Sequence, residues 1–160
     1  MVELDKFIKI FEGLTTAYGQ TIKTDQFSEK GKHKTKSFTI SNPVTKKLWR
    51  EHLEGKDPAL GIVPINKENK CKWGCIDIDT YPFDHKKFIQ KLKQKNIPIV
   101  VCRSKSGGAH AFLFTKEFVP ATVMRVKLKL IASALGFASA EIFPKQDYIS
   151  VDRGDTGSFL

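Results

Sequence analysis

The fold of this chain is decided by residues 73–79, which read Trp73-Gly74-Cys75-Ile76-Asp77-Ile78-Asp79, a short apolar run ending in two carboxylates. Alternate residues of a β-strand share a face, so Asp77 and Asp79 point to one side and the isoleucines into a core. Two carboxylates on one face repel each other unless a cation lies between them, and hard divalent ions prefer such oxygen ligands. The run therefore predicts a strand that carries part of a metal site. The alternative is a strand end whose acids face water.

A second polar segment reads Arg103-Ser104-Lys105-Ser106-Gly107-Gly108-Ala109-His110 and lies between predicted strands over 97–102 and 109–114. Adjacent glycines let backbone N–H groups approach an anion closely. Arg103 and Lys105 supply positive charge, the serines supply hydroxyls, and His110 can donate to a phosphate oxygen. The segment predicts a phosphate-binding turn, although it does not match the strand-to-helix pattern of a Walker loop. The alternative is an ordinary basic hairpin turn.

A third segment reads Glu141-Ile142-Phe143-Pro144-Lys145-Gln146-Asp147. Glu141 lies in an apolar strand setting, where an unpaired charge is costly, and a metal shared with the two aspartates would offset that cost. Lys145 and Gln146 are candidates to face a substrate phosphate or base. Asp147 is a rival for the third acid, and the alternative is an edge-strand acid with solvated neighbours. Three carboxylates holding two metals, with basic groups for a triphosphate, are what phosphoryl transfer needs.

Helices and strands mix around these segments without strict alternation, which is typical of an α+β fold in one domain of 160 residues. Further strands are predicted over 59–65 and 139–143. Apolar spacing predicts an N-terminal helix over 4–14, Asn42-Pro43 starts a helix that stops at Gly55, and Asp84 caps another. Pro120 begins a fourth helix, which runs to 135 and is closed by Gly136.

The segment 15–36 is polar and rich in lysine, and we predict a mostly irregular, mobile loop there. The chain carries a net charge of +10 and has a pI near 9.5, a balance that favours negatively charged partners. The candidates to contact nucleic-acid phosphates are Lys30, Lys32, Lys34 and Lys36. The alternative interpretation is a solvated run of charge.

Several classes of protein are disfavoured by the sequence. The apolar runs are too short to span a bilayer, and the N-terminus lacks the pattern of a secretion signal. Sparse cysteines fit a reducing compartment, so we expect a cytoplasmic protein without a membrane partner. Cys71, Cys75 and His85 are too few and too irregular for a zinc module. The ending Ser158-Phe159-Leu160 resembles an unfinished strand, which predicts that the natural chain continues.

The three motifs resemble, in order and rough spacing, those of the archaeo-eukaryotic primase superfamily, particularly primase-polymerases of phages and mobile elements. Asp77-Ile78-Asp79 is similar to the first family motif, an Asp-x-Asp after a hydrophobic strand. Residues 106–110 are similar to the second, which ends in a histidine that contacts the phosphates of the incoming nucleotide. Glu141 matches the acid of the third, where many members have Asp. Gly108 occupies the serine position of a common Ser-x-His motif, and the resemblance covers mainly 60–159.

The resemblance implies an α/β unit beside an RRM-like unit, with a mixed sheet, flanking helices and the active site in the cleft between them. It implies a template-directed nucleotidyltransferase, a DNA primase or primase-polymerase that adds NTPs or dNTPs to a 3′-hydroxyl. Asp77, Asp79 and Glu141 would hold two Mg²⁺ or Mn²⁺ ions, and His110 would act on the nucleotide.

The partners implied are a single-stranded DNA template and nucleotides, with a helicase or further C-terminal domain as another partner in DNA replication. The setting would be the cytoplasm of a cell that carries a phage or mobile element. Two other functions stay open from the residues alone: a metal-dependent nuclease, and a non-catalytic module that binds single-stranded nucleic acid.

Overall fold

The computed structural model describes residues 2–27 and 33–160, which form helices and two antiparallel sheets. The predicted α+β class is therefore confirmed. The elements are α1 (Val2–Ile10), β1 (Tyr18–Phe27), β2 (His33–Ile40), α2 (Lys46–Leu53), β3 (Ala59–Gly61), β4 (Lys70–Ile78), α3 (His85–Gln94), β5 (Val100–Arg103), β6 (Ala109–Pro120), α4 (Ala121–Leu135), β7 (Glu141–Phe143) and a 3₁₀ turn (Val151–Arg153).

The larger sheet has the strand order β5-β6-β4-β7, and every neighbouring pair is antiparallel. Because α3 joins β4 to β5 and α4 joins β6 to β7, the connectivity is βαββαβ, the pattern of RRM-like units. This part of the chain therefore has the topology that the resemblance implies.

Two faces of the larger sheet are covered by different parts of the chain. On one face, Ile76 and Ile78 of β4 are buried in a cluster with Met124 and Leu128 of α4, and α3 adds Phe88. The two isoleucines that alternate with the aspartates therefore point into the core, as the alternation predicted. The other face of the sheet is left for the smaller sheet and for the acids.

That second face is apolar along most of its length and becomes polar at one end. Trp73 of β4 pairs with Phe114 of β6, and Cys75 pairs with Phe112 and Phe143. All five side chains pack in one cluster with residues from α1, α2 and the smaller sheet. The next residue of β4 on the same face is Asp77, so the polar end begins where this cluster stops.

The smaller sheet has the order β2-β1-β3, and the expectation of an irregular loop over 15–36 is wrong for the described residues. β1 and β2 pair from Tyr18–Ile40 to Phe27–His33. Thr21 Oγ1 lies 2.9 Å from Ser37 Oγ across the hairpin, the kind of hydroxyl pair that stabilises adjacent strands. Such a hairpin is exposed along β2, so its strands lack the apolar alternation that identifies strands in sequence.

Helix ends follow the capping chemistry, with one correction. The Asp84 carboxylate accepts a hydrogen bond from Lys87 N at 3.0 Å, and α4 ends at Gly136 with φ of +88°, both as predicted. The predicted helix start at Asn42-Pro43 is wrong. α2 begins only at Lys46, because Thr45 holds an extended backbone and its hydroxyl accepts the N–H of a residue in the first turn.

The predicted strand over 59–65 is also shorter than expected, since β3 ends at Gly61. The next residue, Ile62, exchanges backbone hydrogen bonds with Leu160 at 3.0 and 3.2 Å. Val63 and Ile65 are fully buried in a small separate cluster. Among the described residues, no helix combines the length and apolar character needed to cross a bilayer.

Candidate active site

A row of polar side chains crosses three strands at the polar end of the larger sheet. Asp77 of β4 pairs in register with His110 of β6 on one side and with Glu141 of β7 on the other. Directly opposed residues in antiparallel strands have Cβ atoms roughly 4.5–5.5 Å apart. Asp79 follows immediately after the end of β4. The structure therefore brings the first and third sequence motifs together with the histidine of the second.

Asp77 is the least exposed acid of this row. Its side chain is only 19% exposed, and its Oδ1 lies 3.5 Å from His110 Nε2. No hydrogen bond is made by this Oδ1 within the described residues, although the atom is fully buried. Burial raises the pKa of the Asp77 carboxyl; His110 opposes the rise, while the charges of Asp79 and Glu141 add to it. A cation bound beside Asp77 would therefore stabilise the ionised form of this carboxylate.

Glu141 differs from the expectation. Its side chain is 60% exposed and pairs with Lys145 Nζ at 2.9 Å, so it is neither buried nor unpaired. The physical reason is its position at the first residue of β7, a three-residue strand at the edge of the sheet. The predicted desolvation cost therefore belongs to Asp77 instead.

Gln146 and Asp147, the last two residues of the third motif, are bound to other parts of the chain. The Gln146 amide donates to Ser158 Oγ at 2.8 Å and accepts from Ser158 N at 3.0 Å, which fixes it against the last residues of the chain. Asp147 forms an ion pair with Arg125 of α4. Because Asp147 is ion-paired with a residue of α4, Glu141 is the better candidate for the third acid of the site.

The predicted phosphate turn between β5 and β6 lies directly against the end of β4. Ser104 N donates to Gly108 O, and Gly107 N donates to Ser104 O, both at 3.0 Å. Gly107 has φ of +99°, a conformation that L side chains rarely adopt. A Cβ on Gly108 would approach Ile78 O closer than the 3.0 Å that real Cβ atoms respect. Close packing against the acid strand therefore leaves no room for a side chain at Gly108.

The basic residues of the turn are exposed and carry no ion pair among the described residues. Arg103 pairs with the buried Ala109, one residue before His110, so alternation directs it away from the acid row. Its guanidinium lies instead beside Gly107, 3.9 Å from where a Cβ would be. Lys105 occupies the tip of the turn. The two cations therefore flank the turn, whereas His110 faces the acids.

Two residues of the site, Tyr81 and His85, were not assigned to it from the sequence. The Tyr81 hydroxyl donates to Asp79 Oδ1 at 2.7 Å and lies 2.5 Å from Ser106 Oγ. Ser106 Oγ in turn lies 3.1 Å from Ser104 Oγ, and Ser104 is buried. The ring of His85 contacts Gly108 O through Nε2 at 2.9 Å. The sequence signal that could have identified Tyr81 was its position two residues after Asp79.

The donor set is of the right chemical type for a hard divalent ion, because three acids, Asp77, Asp79 and Glu141, lie at one end of the sheet and such ions prefer carboxylate oxygens. The buried Oδ1 of Asp77, which accepts no hydrogen bond among the described residues, is the observation that favours such an ion. Within residues 2–27 and 33–160, however, no three His, Cys, Asp or Glu side chains stand grouped so as to hold a metal. Glu141 is held by Lys145 and Asp79 by Tyr81.

Comparison with models of protein families gives a match that spans almost the whole chain. A family model described as the archaeo-eukaryotic primase domain of TOTE conflict systems matches residues 7–160. A search of curated proteins found no match to the chain. The matched span contains the smaller sheet as well as the acid row and the turn, so it extends beyond the part of the chain that the three motifs covered. The resemblance drawn from those motifs is confirmed, and the chain belongs to the archaeo-eukaryotic primase family, in its TOTE conflict-system form.

Proposed function

We propose that this chain is the catalytic domain of a template-directed nucleotidyltransferase, a DNA primase or primase-polymerase that adds NTPs or dNTPs to a 3′-hydroxyl. Membership of the primase family supports a primase-like role in general. The observation that carries the specific activity proposed here is the row formed by Asp77, His110 and Glu141, with a glycine turn packed against the same strand end.

In this proposal Asp77, Asp79 and Glu141 hold two Mg²⁺ or Mn²⁺ ions. Such ions, when bound, stabilise charge on the transferring phosphoryl group and favour ionisation of the attacking hydroxyl. Lys145, already paired with Glu141 at 2.9 Å, supplies a positive charge at the same edge. The burial of Asp77 gives the carboxylate a strong preference for a cationic neighbour.

The incoming triphosphate lies between the acid row and the turn. His110 stands beside Asp77 and donates to a phosphate oxygen, while Arg103 and Lys105 neutralise charge from the flank. Gly107 and Gly108 leave the backbone open to an anion, and Ser106 offers a hydroxyl. Gln146 keeps a smaller role than the sequence predicted, because Ser158 already occupies its amide.

The template is a single strand of DNA held by positive charge outside the acid row. Of the four lysines that the sequence predicted, Lys34 and Lys36 are exposed on β2, whereas Lys30 and Lys32 lie outside the described residues. A helicase or a further domain as partner, and action within the cytoplasm of a cell carrying a mobile element, belong to the same proposal.

One assay separates this function from the two alternatives. The protein is incubated with an end-labelled primer on a single-stranded template, with Mg²⁺ or Mn²⁺, and with or without nucleotides. A polymerase lengthens the primer only when nucleotides are present, and a nuclease shortens the DNA without them. A binding module shifts the DNA in a gel and changes its length in neither condition, which would refute the proposal, as would shortening alone.

A further inference from the structure

We propose that Tyr81 is a positioning residue that couples the acid pair to the phosphate turn, so that metal binding at one strengthens nucleotide binding at the other. The inference rests on the proposed function. It concerns a residue that lies outside all three motifs, in the loop between β4 and α3.

The first support is the set of contacts made by the Tyr81 hydroxyl. It lies 2.7 Å from a carboxylate oxygen of Asp79 and 2.5 Å from the hydroxyl of Ser106. Ser106 continues the chain of contacts to the buried Ser104 at 3.1 Å. One hydroxyl therefore connects the first motif with the tip and then the base of the turn.

The second support is that the Tyr81 ring has little part in the hydrophobic core. Its side chain is 52% exposed, and it belongs to none of the hydrophobic clusters in the described part of the chain. An exposed ring contributes little to the core. Fold stability therefore gives no reason for a tyrosine whose hydroxyl bridges two motifs.

The third support is how the two ends of the turn are held. The base is fixed by Gly108, which packs closely on Ile78 O and whose carbonyl oxygen lies 2.9 Å from His85 Nε2 and accepts from Ser104 N at 3.0 Å. The tip of the turn carries Lys105 and Ser106, which are both exposed. Among the described residues, Tyr81 supplies the side-chain link from that tip to the acids.

A ligand that fixes the orientation of Asp79 thereby fixes Tyr81 and, through it, Ser106. Coupling of this kind is reciprocal, so nucleotide bound at the turn strengthens metal binding by the same factor. Loss of a single hydrogen bond changes an equilibrium by roughly three- to tenfold. The metal–nucleotide ratio is the nucleotide affinity measured with metal divided by the affinity measured without it. We expect Tyr81→Phe to reduce this ratio by about three- to tenfold.

The test measures the dissociation constant of ATP, and separately of dATP, by calorimetry in EDTA and in saturating Mn²⁺. Mn²⁺ affinity is measured by electron paramagnetic resonance with and without nucleotide. The variants are Tyr81→Phe, Ser106→Ala and the double variant, with Tyr148→Phe as the matched control because Tyr148 is an exposed tyrosine elsewhere.

We expect each single variant to lower the metal–nucleotide ratio about three- to tenfold. The double variant should lower it no further, since both changes break one linkage. Tyr148→Phe should match the wild type. An unchanged ratio in Tyr81→Phe, or fully additive losses in the double variant, overturns the inference alone. Failure of the wild type to bind either nucleotide in Mn²⁺ overturns the proposed function as well.

Discussion

Replacing Asp77 by Asn should make the protein more stable while removing its activity. In the wild type, a buried carboxylate oxygen has no hydrogen bond among the described residues, and two further acids lie close to it. His110 Nε2, at 3.5 Å, offsets only part of that cost. An amide has nearly the same shape and carries no charge, so it relieves both the desolvation and the repulsion.

The size of the gain follows from removing the charge, since the amide oxygen still lacks a hydrogen-bond partner. An unsatisfied buried group costs about 1–3 kcal/mol and more when it is charged, and the neutral amide avoids the part due to charge, so we expect a gain of about 1–2 kcal/mol. For a chain of 160 residues each kcal/mol shifts the melting temperature by about 2–4 °C, which gives a rise of about 2–8 °C.

The gain should also depend on pH, with a definite sign. The folded-state pKa of Asp77 is raised, so the folded wild-type protein is more stable, relative to its unfolded state, when this carboxyl is protonated. That stability is lost as the pH rises through the folded pKa. The difference between Asp77→Asn and wild type should therefore be largest at pH 7.5 and shrink towards pH 4.

Thermal unfolding in EDTA at several pH values measures this difference. Glu141→Gln is the matched control, because that side chain is exposed and ion-paired and should change the melting temperature little. The reasoning would be refuted if Asp77→Asn were less stable than the wild type, or if its gain in melting temperature grew as the pH fell. Either result would show that the charge of Asp77 does not destabilise the fold.

Three further outcomes are expected. His110→Ala should lower kcat/KM for the nucleotide by about 10–100-fold, the worth of one hydrogen bond to a charged group, and leave template affinity unchanged, as steady-state kinetics and DNA binding will show. Gly108→Ala should cost about 1–3 kcal/mol in chemical denaturation because its Cβ meets the Ile78 carbonyl, whereas Gly55→Ala, with open space around it, should cost only about 1 kcal/mol from its backbone angle. Binding of single-stranded DNA should weaken steeply between about 50 and 200 mM salt, since several phosphate contacts release counterions, and a flat response in a filter-binding titration would count against the template proposal.

The elements that sequence patterns identified are those whose signals are local. Alternation of isoleucine with aspartate showed which residues of β4 face the core, and Asp84 and Gly136 marked helix ends through capping that a few neighbouring residues determine. These features need no knowledge of distant parts of the chain, so a single sequence was enough for them.

The features that sequence patterns did not identify depend on long-range partners. β1 and β2 stabilise each other by pairing, and the exposed, lysine-rich β2 has no apolar alternation to reveal it. The environment of Glu141 depends on its strand lying at a sheet edge beside Lys145. Tyr81 joins the site only because the loop after β4 folds over a turn that lies 25 residues later.

The most direct test of the central claim is incorporation of one labelled nucleotide onto a primed single-stranded template in Mn²⁺. It compares wild type with Asp77→Asn, and with Asp152→Asn as an exposed acid outside the site. We expect incorporation by the wild type and Asp152→Asn, and a loss of at least about a hundredfold in Asp77→Asn although that protein is folded and more stable. Incorporation by Asp77→Asn at a rate near that of the wild type would contradict the assignment of the acid row as the catalytic centre.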